Sequence, residues 1–434
     1  MNPENQFDMV MPNLILLPSV ASPNAPDEQQ NYSDPSILGL SLMQRTVVAA
    51  RRAGLGRIFL LASDFLARDY DPPPDVTAVS DWITLADALR LPQAMPLLIA
   101  PATILAETDW LKRLATTRIE PSAWAAIPHR IVVLAATAVP NSLALLHANG
   151  GARDLAAVEE RLARRFGPAT TVSSEIDPMV VSKLQDVPVA EQRLLQGLLK
   201  DTDGFMARHF DRQISLQISR RLAPTSVTPS QVTFVSIAIG LCGALFFLSE
   251  LWPWQTLGAL LFLLHSIVDG CDGELARLKF QESKYGGILD FWGDNIVHVA
   301  VFGCMAVGWA QSATGTWPLW LGAAAIIATL GSATFIYWRQ LRRKEGSGPL
   351  FTSVSDVSDD HLAGMLDAAS RRDFIYIVPI LALFGKANWL LLLAAIGTPM
   401  FLLLLVFHAV RKRLQGEQMI SDAKRARSSG TDSA

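Results

Sequence analysis

Four aspartates fall within 26 residues of strongly apolar sequence: Asp269, Asp272, Asp290 and Asp294 in IVDGCDGELARLKFQESKYGGILDFWGD, residues 267–294. One carboxylate at the centre of a membrane helix costs roughly 2.5–3.5 kcal/mol on insertion scales. Helical spacing shows how four can coexist. Asp269, Asp272, Gly273, Ala276 and Arg277 stand at i, i+3, i+4, i+7 and i+8 and share one helix face, and Asp290 and Asp294 lie one turn apart on another. Two such helices joined by a short loop aim all four carboxylates at one point. In a low dielectric the four repel, and a cation must offset them. No thiol or paired imidazole is placed for zinc, so the oxygen ligands favour Mg2+ or Mn2+. Gly273 and Ala276 leave room for a ligand against the backbone, and Arg277 can meet a phosphate bidentately. Carboxylate-held metal, an arginine and a cleared helix surface suit phosphoryl transfer.

The elements that must position these residues read as membrane spans. The chain has 434 residues, half of them hydrophobic, and a mean hydropathy of +0.28, which points to more than one domain. Its net charge of −3 says little about partners, and no nucleic acid is expected among them. Apolar runs long enough to cross a bilayer fall near 231–249, 254–279, 287–311, 317–338, 373–386 and 389–410, the fifth being short. Basic residues gather after the second, fourth and sixth runs (Arg277, Lys279 and Lys284; RQLRRKEG, 339–346; RKR, 411–413), and the segment before the first is Arg-rich. The opposite loops carry little charge and hold Trp252, Trp254, Trp317, Trp320 and Trp389 as an aromatic belt. This asymmetry predicts an inner-membrane protein of six spans with both termini cytoplasmic. Asp269 then lies roughly 24 Å along the second span, in the cytoplasmic half of the bilayer. No signal peptide is apparent, and Cys242, Cys271 and Cys304 read as reduced core residues.

The remaining regions differ in kind. Residues 1–185 alternate short apolar runs (13–18, 57–62, 95–100, 130–136) with helical patterns (41–54, 108–115, 154–167), which predicts an α/β layer domain with a largely parallel sheet. Residues 186–228 read as a linker whose Phe210, Ile214, Ile218 and Leu222 repeat every four positions beside Arg208, Arg212, Arg220 and Arg221. That is an amphipathic helix suited to a membrane surface. Residues 229–414 form the six-helix all-α transmembrane domain, and 415–434 read as a disordered tail.

The pattern formed by Asp269, Asp272, Gly273, Ala276, Arg277, Gly286, Asp290 and Asp294 resembles the signature of the CDP-alcohol phosphotransferases, with every spacing present. The resemblance implies a six-helix membrane enzyme that displaces CMP from a CDP-linked alcohol with a second alcohol, and a homodimer. Carried over, Asp269, Asp272, Asp290 and Asp294 would form a site for two divalent metal ions. Asp294 would complete that site and act as the catalytic general base. Asp269, Gly273, Ala276, Arg277 and Gly286 would form the nucleotide site. Arg371, Arg372 and Asp373 open the fifth span and read either as contacts for a phosphorylated acceptor or as a positive-inside anchor. His265 and His298, each one turn from an aspartate, read as supporting partners of the site or as core histidines. TPSQVT (228–233) reads as the capped start of the first span.

The whole arrangement is similar to the bifunctional enzymes that join an inositol-phosphate cytidylyltransferase to a di-myo-inositol-phosphate-phosphate synthase. The match rests on LLKDTDGFMARHFDRQIS (198–215) and on a nucleotidyltransferase-like stretch at 39–62. Two departures point to an inactive first domain. The segment 19–36 has no glycine, lysine or arginine for a phosphate cradle, and PAT (101–103) stands where a metal aspartate is expected. Expected partners are a CDP-alcohol donor, a polyol, polyol phosphate or lipid acceptor, and membrane lipids. The alternative is a phospholipid synthase using CDP-diacylglycerol with a polyol phosphate acceptor. A non-catalytic anchor or a cation transporter is the remote reading, since transporters place charge at the midplane in broken helices.

Overall fold

Asn13–Leu17, Ile58–Leu61, Leu97–Pro101 and Ile131–Leu134 are strands of one seven-stranded sheet in the computed structural model. The structure describes residues 12–17, 34–61, 75–89, 95–116, 124–148, 151–171, 178–199, 206–342 and 375–431. From edge to edge the sheet runs Thr170–Thr171, Trp124–Ile127, Ile131–Leu134, Leu97–Pro101, Asn13–Leu17, Ile58–Leu61, Val76–Val79. Pairing is parallel except around Ile131–Leu134, which is antiparallel to both neighbours. The largely parallel sheet is as expected. Val76–Val79, Trp124–Ile127 and Thr170–Thr171 are strands that had no reading in the sequence.

The apolar runs become strands because both faces of the sheet are covered. Successive residues of Asn13–Leu17 point to opposite sides. Leu14 and Leu16 join a core with Met43, Val47, Trp110 and Leu114, under helices Leu42–Arg52 and Thr108–Thr116. Ile15 and Leu17 join a second core with Trp82, Leu85, Leu143 and Val158, under helices Trp82–Leu89, Val139–His147 and Leu155–Phe166. The first of these helices begins with a capping box between Ser41 and Gln44, and Gly54 follows its end at φ 83°. The chain divides into two compact units between Gln196 and Gly197. Helix Val187–Gln196, expected in the linker, therefore belongs with the sheet.

In the second unit, five helices among the described residues are long and apolar enough to cross a membrane: Pro229–Phe246, Trp252–Lys279, Lys284–Ala310, Trp317–Arg339 and Asn388–Arg411. Each matches an expected span. Trp252, Trp254, Trp317, Trp320 and Trp389 are all exposed near helix starts. The expected fifth span is described only from residue 375 and contains the seven-residue helix Ile377–Leu383, too short by itself to cross. Arg371, Arg372 and Asp373 lie outside the described residues.

Two expectations are corrected here. The last helix runs unbroken from Asn388 to Thr431, through the stretch read as a disordered tail. The segment RLQGEQMISDAKRA (413–426) is rich in strong helix formers and prolongs a helix already nucleated by the span. Cys271 is buried as expected, but Cys304 is half-buried and Cys242 is exposed on its helix.

The first and third spans pack closely. A Cβ added at Gly293 would lie 2.4 Å from Ile237, and one at Gly240 would lie 2.6 Å from Val297. Small residues at a helix crossing allow this approach.

Candidate active site

The two aspartate helices are brought together by a turn that both ends help to define. At the end of the second span Phe280 adopts a left-handed conformation (φ 55°), and the Gln281 N–H donates to the Ala276 carbonyl at 2.8 Å. This closes the helix in the Schellman manner. The third span opens on Ser283, whose hydroxyl accepts from the Gly286 N–H at 3.0 Å. At Gly286 a Cβ would sit 3.0 Å from that hydroxyl, so the residue's absence of a side chain favours the cap. Lys279 Nζ donates to the carbonyls of Thr225 (2.6 Å) and Val227 (2.7 Å), tying the end of the second span to the approach to the first.

Three carboxylates meet. Asp269, Asp272 and Asp290 each offer an oxygen, and these atoms lie within 4.8 Å of one another. Asp269 and Asp272 are buried and Asp290 is half-buried. The Thr233 hydroxyl, from the first span, donates to Asp272. An all-oxygen donor set of three carboxylates fits a hard divalent cation, which takes several oxygen ligands without needing a thiol or imidazole.

Asp294 has a different neighbour. Its Oδ1 lies 3.4 Å from His265 Nε2, while His265 Nδ1 lies 2.9 Å from the Ser236 carbonyl. The buried imidazole therefore bridges the first span and the Asp294 carboxylate. His298 Nδ1 lies 2.7 Å from the main-chain carbonyl of Asp294 and its ring meets Phe262 edge-on at 5.4 Å. Of the two histidines, His265 is the one that faces the carboxylate. Gly273, Ala276 and Arg277 are all half-buried on the exposed side of the aspartate face. A Cβ at Gly273 would lie 3.4 Å from Arg277 Nη1, so the guanidinium folds back over the bare backbone.

Two residues of this region had no reading in the sequence. Thr233 was passed over as part of a helix start. Glu274, between the aspartates and Arg277, is fully buried and accepts from Arg212 Nη1 at 2.8 Å, Ser215 Oγ at 2.6 Å and Ser219 Oγ at 2.7 Å. The three donors come from the helical stretch 207–222, which begins with a π-helical turn at Ala207–Asp211 and continues as Arg212–Leu222. That stretch docks through a polar face, leaving Phe210 and Ile214 exposed. A glutamate inside a membrane-length helix was itself a signal for such a partner.

Residues 226–358 match the family model described as CDP-alcohol phosphatidyltransferase. This stretch of the chain is similar to the domain of that family. With its five membrane-length helices the chain is an integral membrane protein. The chain is similar to a bifunctional IPC transferase and DIPP synthase from Thermococcus kodakarensis, 36% identical over 154 residues, covering 35% of this chain and 33% of the relative. It is also similar to an archaetidylinositol phosphate synthase from Pyrococcus horikoshii, 26% identical over 200 residues, covering 46% of this chain and 92% of the relative. A solved structure of phosphatidylinositol phosphate synthase from Mycobacterium tuberculosis, in complex with manganese and citrate, aligns with 44% of this chain and 88% of its own. Its identity is 21% and its TM-score 0.31. The matched stretches span about a third of the length of the first two bifunctional relatives, at 33% and 35%.

Proposed function

We propose that this protein transfers a phosphoalcohol group from a CDP-alcohol to an acceptor alcohol and releases CMP. The observation that carries this reading is the meeting of Asp269, Asp272 and Asp290, with Asp294 one turn beyond Asp290 and Arg277 over Gly273. Asp269, Asp272 and Asp290 would hold two Mg2+ or Mn2+ ions, with Asp294 completing the site. Such ions, when bound, neutralise the diphosphate and polarise the acceptor hydroxyl.

The chain's own residues do the rest. Arg277 binds the diphosphate, and Asp269, Gly273, Ala276 and Gly286 seat the nucleotide against bare backbone. Asp294 takes the proton of the acceptor hydroxyl. The acceptor oxygen forms a bond to the β-phosphorus as the bond to the oxygen leading to the α-phosphorus breaks, and CMP leaves with that electron pair. His265, braced on the Ser236 carbonyl, would hold the Asp294 carboxylate in place. The names of the relatives favour an inositol phosphate or a lipid as the alcohol on one side of the reaction. Arg371 or Arg372 would meet the phosphate of a phosphorylated acceptor, with Asp373 beside them in the acceptor site.

The same reading takes the protein to have six spans with both termini cytoplasmic and to work as a homodimer. The first unit is a nucleotidyltransferase-like fold without that activity. Ala102 and Thr103, at the end of strand Leu97–Pro101, are buried. What supports this reading is that neither residue offers a carboxylate where a metal aspartate is expected.

The test is CMP release by the purified protein in lipid, given Mg2+ or Mn2+, CDP-diacylglycerol or CDP-inositol, and polyol phosphates. Release should require both metal and acceptor. Turnover that survives chelation would remove the metal from the reading. Pyrophosphate formed from CTP and inositol phosphate would show the first unit to be active.

A further inference from the structure

The helical stretch 207–222 brings a second guanidinium to the face that carries Arg277. A Cβ built at Gly270 would lie 3.6 Å from Arg212 Nη1, and one at Gly273 would lie 3.4 Å from Arg277 Nη1. Gly270 and Gly273 are one helical turn apart, so the two guanidiniums lie over successive bare positions of one helix. Glu274 bonds Arg212, and Arg277 follows Glu274 three positions along the same helix.

Several features aim Arg212 there. The π-helical turn Ala207–Asp211 ends at Arg212, whose N–H donates to the Ala207 carbonyl. Such a turn inserts an extra residue and rotates the side chains that follow it, and π turns gather at functional sites. On the near side of Arg212, Asp211 accepts from the Tyr376 hydroxyl. Beyond it, Ser215 and Ser219 supply two of Glu274's three bonds. The serines bond Glu274 without offsetting its charge, so Arg212 is the cation of this contact as well as the guanidinium over Gly270. A planar fork with five donors can bond a carboxylate through one nitrogen and a phosphate through others.

We propose that Arg212 is a second phosphate-binding arginine of the nucleotide site, held in register by Glu274 and contacting the diphosphate of the donor together with Arg277. This rests on the reading of the site as one for a CDP-alcohol. It makes the juxtamembrane helix a wall of that site.

CDP binding tests it without knowledge of the donor's alcohol. The full-length protein in lipid nanodiscs with Mn2+ is titrated with CDP, and melting temperature is followed in parallel. Arg212→Ala should weaken CDP binding about tenfold, the scale of a lost charge-assisted hydrogen bond. Arg212→Lys, which keeps the charge and loses the fork, should fold and weaken it about threefold. The double change Ser215→Ala with Ser219→Ala should lower the melting temperature and leave CDP affinity within about twofold, because it loosens docking without touching the fork. CDP affinity unchanged in Arg212→Lys, or lost equally in the serine variant, would overturn the assignment of Arg212 alone. Failure of the unaltered protein to bind CDP would overturn the reading of the site itself, and the assignment with it.

Discussion

Two groups of buried carboxylates occupy the second span within one and a half turns, and they meet opposite surroundings. Glu274 faces three donors from the helix Arg212–Leu222 and is fully buried among them. Asp269 and Asp272 face Asp290 across the helix pair, carboxylate against carboxylate. The first arrangement is a docking contact whose charge is offset within the protein. The second gathers like charge, which a low-dielectric site tolerates when a cation arrives. Charge inside a membrane helix therefore does not identify a reactive centre; the character of what it faces does.

The comparison can be broken by experiment, beginning with the largest effect. Asp290→Asn should lower CMP release by roughly 10^4-fold, because several kcal/mol of metal-supplied charge stabilisation are lost. The same variant should melt no lower than the unaltered protein when metal is absent, since it relieves repulsion. A clear loss of metal-free stability would mean that the aspartates, like Glu274, hold the helices together. Asp294→Asn should lower turnover by about 10^2–10^4-fold, the range for a positioned base. Its Mn2+ affinity, read by calorimetry, should stay near that of the unaltered protein if the three-aspartate cluster suffices to hold metal.

Glu274→Ala should do the reverse of Asp290→Asn and destabilise the fold by about 3–5 kcal/mol, because it removes the buried acceptor that Arg212, Ser215 and Ser219 share. Denaturation with and without metal should show the same loss. Smallest is the effect of metal itself on the unaltered protein. At a hundred times its Kd, Mn2+ should add about 2.7 kcal/mol of stability, visible as a rise in melting temperature that EDTA reverses. That rise should vanish in Asp290→Asn and persist in a Glu274→Gln protein that still folds.

Much of this site was legible because helical periodicity is a local property. The spacing of Asp269, Asp272, Gly273, Ala276 and Arg277 places them on one face whatever the helix packs against, and Asp290 and Asp294 follow the same rule. The spans and their tryptophan-marked starts were legible for a related reason, since length and hydropathy alone satisfy the bilayer. In the first unit the long apolar strands were legible, but Val76–Val79 and Thr170–Thr171 were not. One carries only two buried residues at its ends and the other is two residues long, so neither holds a pattern to read. The helix after residue 414 was not legible, because polar composition indicates solvent and not the absence of a helix.

The sequence by itself determined which residues share a helix face, which segments suit the membrane and which carboxylates fall close together in the chain. Tertiary structure alone decided the partners: that Thr233 donates to Asp272, that His265 takes Asp294, and that Arg212, Ser215 and Ser219 converge on Glu274. Those pairings join residues 29 to 62 positions apart. Periodicity carries no information across such a gap. They follow from helices packing at glycines such as Gly240 and Gly293, where a single methyl group would have set a different distance.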